Sequence, residues 1–330
     1  MVYNKYIGII GGTGTIGSII VKYLLQLQTH FHVLIGGRRS IKEISMSTFY
    51  NSERLKYNQM NYNNDVELDN FCSQCLLVIN AVGPTFKIND KIALHALRNN
   101  CHYIDIGGYG ILRDLLKPYE KSIEAQKLCF IIGVGWMPGI SGVFSKTIIE
   151  THLNSPENTN FNIYYGAVDN WSYSSTYDLA ASSMGKTRSY VYSHGKEIQV
   201  SPFRYTHHKF FPFIGHKKIC MPSFDEQLTQ LATSLKQIRK ISTFIMLNDY
   251  ISMGKFMFIK IFYKHNLNKA TLMLQDDYQR LVKKENKWGS VICQVSKIEP
   301  ERKIDTFYYL YTKNNLLYTA LPAVITTQYI

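Results

Sequence analysis

The chain has 330 residues, of which 45% are hydrophobic, and a formal net charge of +13 at pH 7. This length exceeds what one hydrophobic core usually organises, so we expect two domains. Six cysteines exclude a disulfide-rich secreted scaffold, and we recognise neither a secretory leader nor an apolar run long enough to span a bilayer. We therefore expect a protein of the reducing cytoplasm without a membrane partner.

The positive charge is concentrated in the second half of the chain, where residues 141–330 carry +9 of the total. These lysines and arginines are scattered and do not form an RNA- or DNA-binding motif, so we predict no nucleic-acid partner. Two explanations of the excess stay open. It attracts an anionic small molecule or a substrate bound to a carrier protein, or it is a solvated basic surface.

The first predicted element is a short apolar strand, Tyr6–Ile10, which leads into a glycine-rich loop and an amphipathic helix. The glycines fit G-x-G-x-x-G from Gly12 and equally G-x-x-G-x-x-G from Gly11, patterns typical of a dinucleotide-binding βαβ unit, and the alternative is a glycine-rich turn of an ordinary α/β protein. A Cβ at Gly14 would block the pyrophosphate, which is expected to bind the N–H groups at the start of the helix. The residues predicted to contact it are Gly11, Thr13, Gly14, Thr15 and Ile16.

The end of the second predicted strand, Val33–Ile35, indicates which dinucleotide binds. An NAD site would place an acidic residue there to accept from the ribose 2′-hydroxyl, and this chain has none. Instead Gly37 is followed by Arg38 and Arg39, and a planar guanidinium suits a 2′-phosphate. We predict NADP(H) as the cofactor, bound by these three residues. Arg38 is nearer the strand and is the preferred phosphate ligand, with Arg39 as the alternative.

Apolar runs alternate with helical stretches through the rest of the first half, which indicates a parallel sheet with crossover helices. The further strands predicted here are Leu76–Asn80, Tyr103–Asp105 and Phe130–Ile132. Cys72 and Cys75 form one C-x-x-C, but a zinc site would need a second pair of ligands. We interpret them as the end of a helix and the start of a strand, and we predict no metal site.

The second half contains longer aromatic strands. The predicted ones are Phe161–Val168, Ser189–Tyr192, Phe256–Tyr263, Ser290–Val295 and Thr306–Tyr311, around a helix near Asp225–Leu247. A last helix, Thr319–Thr326, is expected to return to the first domain. The fold class is therefore α/β: a Rossmann doubly wound parallel sheet in residues 1–145 plus 316–330, and a second α+β domain on a mixed or antiparallel sheet in residues 146–315. The second domain is expected to serve substrate binding and oligomerisation, with a homodimer as the assembly considered.

Three stretches resemble the saccharopine dehydrogenase-like NAD(P)-dependent oxidoreductases. They are Asn80–Pro84 (NAVGP), His102–Gly108 (HYIDIGG) and Gly133–Gly139 (GVGWMPG). The resemblance implies that Ala81, Val82, Gly83 and Pro84 lie under the cofactor and that the last stretch closes the cofactor domain. It covers the first ~145 residues, in the order that a doubly wound fold requires, and extends more weakly to the second domain at Phe211–Pro212 and Met221–Glu226.

Two departures from the family limit the activities that the resemblance implies. Trans-acting enoyl reductases of this family carry a tyrosine where this chain has Ile88, and the full set of substrate-binding basic residues of a saccharopine-forming enzyme is not found. The resemblance therefore points to biosynthetic relatives such as thiazolinyl imine reductases of siderophore pathways, which reduce a carrier-bound C=N bond. The alternatives are reduction of an activated C=C bond by a trans-acting enoyl reductase, and a non-catalytic NADP(H)-binding sensor or scaffold.

Catalytic candidates are sought where the strands end, since the nicotinamide binds at that edge of the sheet. Asp105 could orient a protonated imine or relay a proton, or be a turn carboxylate only; Lys87 and Tyr109 could each donate a proton. In the second domain, Trp171 and Tyr173 belong to a polar aromatic loop, and we expect them to line the substrate pocket.

Overall fold

The computed structural model describes residues 6–27, 31–40, 52–108, 110–152, 156–184, 189–223, 226–263 and 265–330. Contacts divide the chain into two compact units, Met1–Ile140 with Leu316–Ile330, and Ser141–Asn315. Among the residues with a described placement, no helix is both long and apolar enough to cross a membrane.

The N-terminal half alternates short strands with helices. Its strands are β1 (Tyr6–Ile10), β2 (Val33–Gly37), β3 (Leu55–Gln59), β4 (Cys75–Asn80), β5 (His102–Asp105) and β6 (Phe130–Ile132). Its helices are α1 (Thr15–Gln26), α2 (Asp65–Cys72), α3 (Thr85–Ile88), α4 (Lys91–Arg98), α5 (Ile111–Leu116), α6 (Glu120–Ala125) and α7 (Ile140–His152). The predicted domain boundary after residue 145 falls within α7 and stays a prediction.

The C-terminal half has longer strands and ends on a helix. Its strands are β7 (Thr159–Val168), β8 (Ser189–Ser193), β9 (Lys196–Val200), β10 (His207–Phe211), β11 (His216–Pro222), β12 (Lys240–Leu247), β13 (Trp288–Ile298) and β14 (Lys303–Thr312). Its helices are α8 (Tyr173–Met184), α9 (Pro202–Tyr205), α10 (Glu226–Ser234), α11 (Tyr250–Phe262), α12 (Leu267–Lys284) and α13 (Asn315–Thr327).

The first unit is built on a six-stranded parallel sheet of order β3-β2-β1-β4-β5-β6. Apolar residues cover both of its faces, as a parallel sheet flanked by crossover helices requires. One face carries a core with Phe71 of α2, Ala96 of α4 and Leu112 of α5. The other face packs Ile20 of α1 and Ala323 of α13. The predicted Rossmann sheet and the predicted C-terminal helix are confirmed.

The second unit is built on an eight-stranded mixed sheet. Its path is β10-β11-β12-β7-β13-β14, and β8 pairs with β12 and β9. Among the described strand pairs of this sheet, β12–β7 is parallel and the others are antiparallel. Helices α8, α11 and α12 pack against one face through Ala180, Phe256, Ile259 and Leu274. The predicted second α+β domain on a mixed sheet is thus confirmed.

Two segments of the second unit differ from the sequence prediction. The run Phe256–Tyr263 was expected to be a strand because it is rich in aromatic and β-branched residues, but it lies in and just after helix α11. The buried residues of α11, Ser252, Phe256 and Ile259, recur at helical spacing. The Asp249 side chain caps the helix by accepting from the Ser252 N–H at 2.8 Å. This prediction was wrong because tertiary packing overrode local propensity.

The second difference concerns the predicted helix near Asp225–Leu247. The segment contains α10 and then β12, an inner strand between β11 and β7. Both faces of β12 are buried, and the clear period-2 alternation of a half-exposed strand is therefore absent.

In the first unit, the sequence did not predict strand β3. This strand completes one edge of the parallel sheet.

Candidate functional site

The candidate site is the edge of the parallel sheet at which all six strands end. The strand order reverses between β1 and β4, and doubly wound folds bind dinucleotides at such a switch point. Gly11, Gly37, Ala81 and Ile106 each lie at or next to the end of a strand along this edge. The loops that these residues begin therefore share one side of the molecule.

The glycine-rich loop between β1 and α1 is tightly packed at Gly11 and Gly17. Gly11 has a φ of +84°, and a Cβ there would lie 2.8 Å from Cγ2 of Val82. A Cβ on Gly17 would overlap the carbonyl group of Gly11. Side chains are thus excluded at both positions by the protein itself.

Gly14 differs, because the protein leaves room beside it. Its backbone is extended, with φ −81° and ψ 176°, and among described atoms a Cβ would meet only the Gly11 carbonyl O, at 3.1 Å. Gly14 is also the N-cap of α1 and has no side chain to cap the helix, which leaves backbone donors at the start of α1 for an anion. This open cradle fits a dinucleotide pyrophosphate, with Thr13, Thr15 and Ile16 around it.

The end of β2 lies beside this loop. A Cβ on Gly37 would be 3.4 Å from Oγ1 of Thr13 and 3.1 Å from the Tyr57 hydroxyl. Tyr57 also contacts two carbonyl oxygens at this turn, those of Gly37 at 2.9 Å and Arg39 at 2.5 Å. The turn that follows β2 is therefore held by β3.

Both predicted arginines are exposed at this turn. Within the described ranges, the Arg38 and Arg39 guanidinium groups have no hydrogen-bond or ion-pair partner, whereas the Arg38 carbonyl accepts from Gln59 Nε2 at 3.4 Å. Each guanidinium is thus available to a ligand while its backbone is held. This arrangement fits the 2′-phosphate of NADP(H).

Replacing Arg38 with alanine should weaken NADPH binding about 10- to 150-fold and leave NADH binding unchanged, since one charged hydrogen-bonded contact is worth roughly 1.5–3 kcal/mol. Titration of both cofactors by fluorescence measures the two dissociation constants, and Arg39→Ala serves as the matched variant. An equal loss for NADPH and NADH would contradict the assignment, and a selective loss only in Arg39→Ala would move it to the neighbouring residue.

The NAVGP stretch continues from the end of β4 along the same edge. The Ala81 N–H donates to the carbonyl O of Ile10 at 2.9 Å, which ties this stretch to the end of β1. The Val82 N–H donates to Asn80 Oδ1 at 3.0 Å, and Pro84 is the N-cap of the short helix α3. Ala81, Val82, Gly83 and Pro84 thus follow the strand that neighbours the glycine loop, where the resemblance predicts them.

Asp105 is buried at the end of β5, with 2% of its surface exposed, and holds the turn that follows. Its Oδ1 accepts from the N–H groups of Gly107, at 2.9 Å, and Gly108. Its Oδ2 accepts from Nδ2 of Asn80 at 2.8 Å and from the Tyr103 hydroxyl at 2.6 Å. Four donors around one carboxyl group fit its ionised form.

The same hydrogen-bond network explains why the Tyr103 hydroxyl keeps its proton. Burial, and then the charge of Asp105, raise the pKa of Tyr103 well above its usual value. The tyrosine therefore stays protonated and donates to the carboxylate. The contacts of Asp105 favour a role in shaping the turn, and its participation in proton transfer stays a prediction.

The other two catalytic candidates lie near this edge in the sequence. Lys87 is exposed in the last turn of α3. Tyr109 lies outside the described residues. The proton-donor roles of both remain predictions.

The two substrate candidates of the second unit both contact helix α12. The Trp171 ring stacks on that of Tyr278, with centroids 4.7 Å apart and planes 6° apart. The Tyr173 hydroxyl donates to Oδ1 of Asn268 at 2.9 Å. Both aromatic side chains thus take part in packing within the second unit, and their substrate role stays a prediction.

Sequence reasoning missed three polar residues that shape this edge: Asn80, Tyr103 and Tyr57. Asn80 joins Asp105 to the Val82 N–H, and Tyr57 lies on the unpredicted strand β3. The sequence did offer one signal for Asn80, because it is a polar residue at the end of the otherwise apolar run of β4.

No group of His, Cys, Asp and Glu side chains that could hold a metal ion occurs in the described part of the chain.

Comparisons with known proteins give one family match and similar folds among solved structures. Residues 7–129 match the family model of the saccharopine dehydrogenase NADP-binding domain. The apo structure of saccharopine dehydrogenase (L-Glu forming) from Saccharomyces cerevisiae is similar with a TM-score of 0.66 and 14% identity, over 98% of this chain and 91% of that one. The C. glutamicum DAP dehydrogenase in complex with DAP gives a TM-score of 0.47 and 10% identity, over 97% of this chain and 86% of that one. No curated protein matches the sequence.

The fold and the site define an NADP-dependent oxidoreductase. Its cofactor is NADP(H), as the arginines after β2 predicted. Residues 7–129 are similar to the saccharopine dehydrogenase NADP-binding domain, and the fold of the chain is similar to that of saccharopine dehydrogenase.

Proposed function

We propose that the chain is an NADPH-dependent reductase of C=N bonds in a small biosynthetic intermediate, with a thiazoline carried on a partner protein as the narrower case. The observation that supports this proposal is the buried, fully hydrogen-bonded carboxylate of Asp105 at the end of β5. It places a fixed negative charge at the edge of the sheet where the cofactor binds.

A fixed negative charge discriminates between the two acceptors that the resemblance implies. A protonated imine is a cation, and a buried carboxylate in a medium of low dielectric constant stabilises it. An activated C=C bond develops the negative charge of an enolate when it accepts a hydride, and the same carboxylate would oppose that charge. The electrostatics of this edge therefore favour the imine.

In the proposed reaction, the residues of this chain bind the cofactor and stabilise the protonated imine. NADPH, when bound, supplies a hydride. The loop after β1, the turn after β2 and the stretch Ala81–Pro84 bind and orient the cofactor. Asp105 holds the turn Ile106–Gly108 and contributes its charge, while an imine that arrives protonated already carries the required proton.

The proposal is tested by NADPH consumption with two small acceptors, the cyclic imine 2-methyl-1-pyrroline and the thioester crotonyl-N-acetylcysteamine. We expect turnover of the imine with a kcat/KM about 10²-fold above that of the thioester, the scale of one electrostatic contact in an active site. The rate should fall as the pH rises and the imine loses its proton.

A permanently charged analogue, the N-methylated pyrrolinium, is the matched control. Its rate should not decrease over the same pH range, because it keeps its charge. Turnover of the thioester without turnover of either imine would contradict the proposal and favour an enoyl reductase. Tight NADPH binding without turnover of any of the three would favour a sensor or scaffold.

A further inference from the structure

Helix α11 of the second unit has an exposed face made of large apolar side chains. Five of them are exposed by between 39% and 66% of their surface: Tyr250 (64%), Ile251 (51%), Phe258 (39%), Ile261 (64%) and Phe262 (66%). Gly254 is exposed between them. With 3.6 residues per turn, these positions form one continuous stripe along a helix about 20 Å long.

The stripe lacks the polar residues that a water-facing helix normally carries. In α11, which is described throughout, every exposed position is apolar or glycine. The opposite side of the helix is also apolar, because Phe256 and Ile259 pack on the sheet of the second unit. A helix that is apolar on two opposite faces, with its two lysines, Lys255 and Lys260, half-buried between them, is typical of one covered on both sides.

The charges around the stripe are positive. Residues 250–275 contain four lysines and one histidine and no aspartate or glutamate. Three aspartates border this segment, and each is paired: Asp249 with Arg280 at 2.7 Å, and Asp276 and Asp277 with Lys255 at 2.6 and 3.5 Å. Lys255 is thereby neutralised, and among the described residues Lys260 and Lys269 are the lysines of this segment without a carboxylate partner. Two copies of this surface would bring their cations together, whereas an anionic surface would complement them.

The stripe also offers few hydrogen bonds. Aromatic side chains present 150–250 Å² each, so at these exposures the five side chains show on the order of 500 Å². A protein interface of that size would use several hydrogen bonds, at about one per 100–200 Å². The hydroxyl of Tyr250, the one side-chain polar group of the stripe, already shares a hydrogen bond with His208 Nε2 at 2.9 Å. Lipid chains require no hydrogen bonds.

We propose that α11 docks this protein on the surface of an anionic lipid bilayer. The helix lies in the plane of the interface, its apolar stripe enters the boundary between headgroups and acyl chains, and the lysines that flank it contact the headgroups. This surface belongs to the second unit and is separate from the proposed reductase activity. It departs from the prediction that the protein has no membrane partner.

The test is flotation of the full chain with vesicles of equal parts phosphatidylcholine and phosphatidylserine, beside vesicles of phosphatidylcholine alone. We expect the protein to bind the first kind, and less so at high salt because screening weakens the lysine contacts. Phe262→Glu should lower vesicle binding about 10-fold or more, since the carboxylate would have to enter the apolar layer.

Phe203→Glu is the matched control, because Phe203 is 78% exposed on another helix of the same unit. It should bind vesicles as the unmodified protein does. Unchanged NADPH affinity and melting temperature establish folding, and Ile261→Glu replaces Phe262→Glu if that variant does not fold. The proposal is overturned if the unmodified protein floats with neither vesicle, or if both Phe→Glu variants lose binding equally. Failure to bind vesicles together with a dimer that Phe262→Glu dissociates would assign the stripe to a second copy of the chain.

Discussion

Replacing Gly14 with valine should abolish NADPH binding and leave the fold intact. The backbone at Gly14 is extended, and a Cβ there meets only one described atom, so the change should cost about 1 kcal/mol of stability. The valine side chain would occupy the space of the pyrophosphate and displace several charge-assisted hydrogen bonds, each worth roughly 1.5–3 kcal/mol. We expect affinity to fall by at least about 100-fold.

Gly17→Val is the contrasting variant. Its Cβ would overlap the Gly11 carbonyl, so here the protein itself rejects the side chain. Overpacking of this kind costs about 3 kcal/mol, and the melting temperature should fall by about 6–12 °C. Calorimetry and NADPH titration on both variants separate the two effects. Normal NADPH affinity in a folded Gly14→Val protein would remove the glycine loop from the cofactor site.

Replacing Asp105 with asparagine should destabilise the first unit by about 2–4 kcal/mol, because the new amide group would face donors where a carboxylate oxygen now accepts. The melting temperature should then fall by about 5–15 °C. Tyr103→Phe is the matched variant, since it removes one donor and keeps the charge. It should cost about 1.5–3 kcal/mol.

Single-turnover hydride transfer on the same preparations distinguishes the roles of Asp105. A group that relays a proton would lower the rate about 10²-fold in Asp105→Asn and leave Tyr103→Phe close to normal. A carboxylate that acts through its charge would lower the rate for the imine and for its N-methylated pyrrolinium alike, whereas one that only holds the turn would leave the rate of the folded enzyme normal. If Asp105→Asn melts at the normal temperature, the network around this carboxylate does not stabilise the unit as its contacts indicate.

The cofactor could be predicted because the residues that indicate it are neighbours in the chain. The glycine loop is one turn between β1 and α1, and Arg38 and Arg39 follow β2 directly, so the residue types and spacing were sufficient. The order of the motifs likewise indicated the doubly wound sheet, since each apolar run is a strand and each segment between is a crossover. The approach of Tyr57 to Gly37 could not be predicted, because β3 pairs with β2 across a long connection.

The amino-acid sequence therefore determined the cofactor and the fold class of both halves, which follow from local properties of the chain, whereas the residues assigned to dinucleotide binding stay a prediction. Only the tertiary structure decided the hydrogen-bond partners of Asp105, because Asn80 is 25 residues away and becomes adjacent through the pairing of β4 with β5. The tertiary structure also decided that the segment Tyr250–Phe262 is helical. The segment's aromatic and β-branched residues favour a strand, and burial of Phe256 and Ile259 against the sheet selects the helical spacing instead.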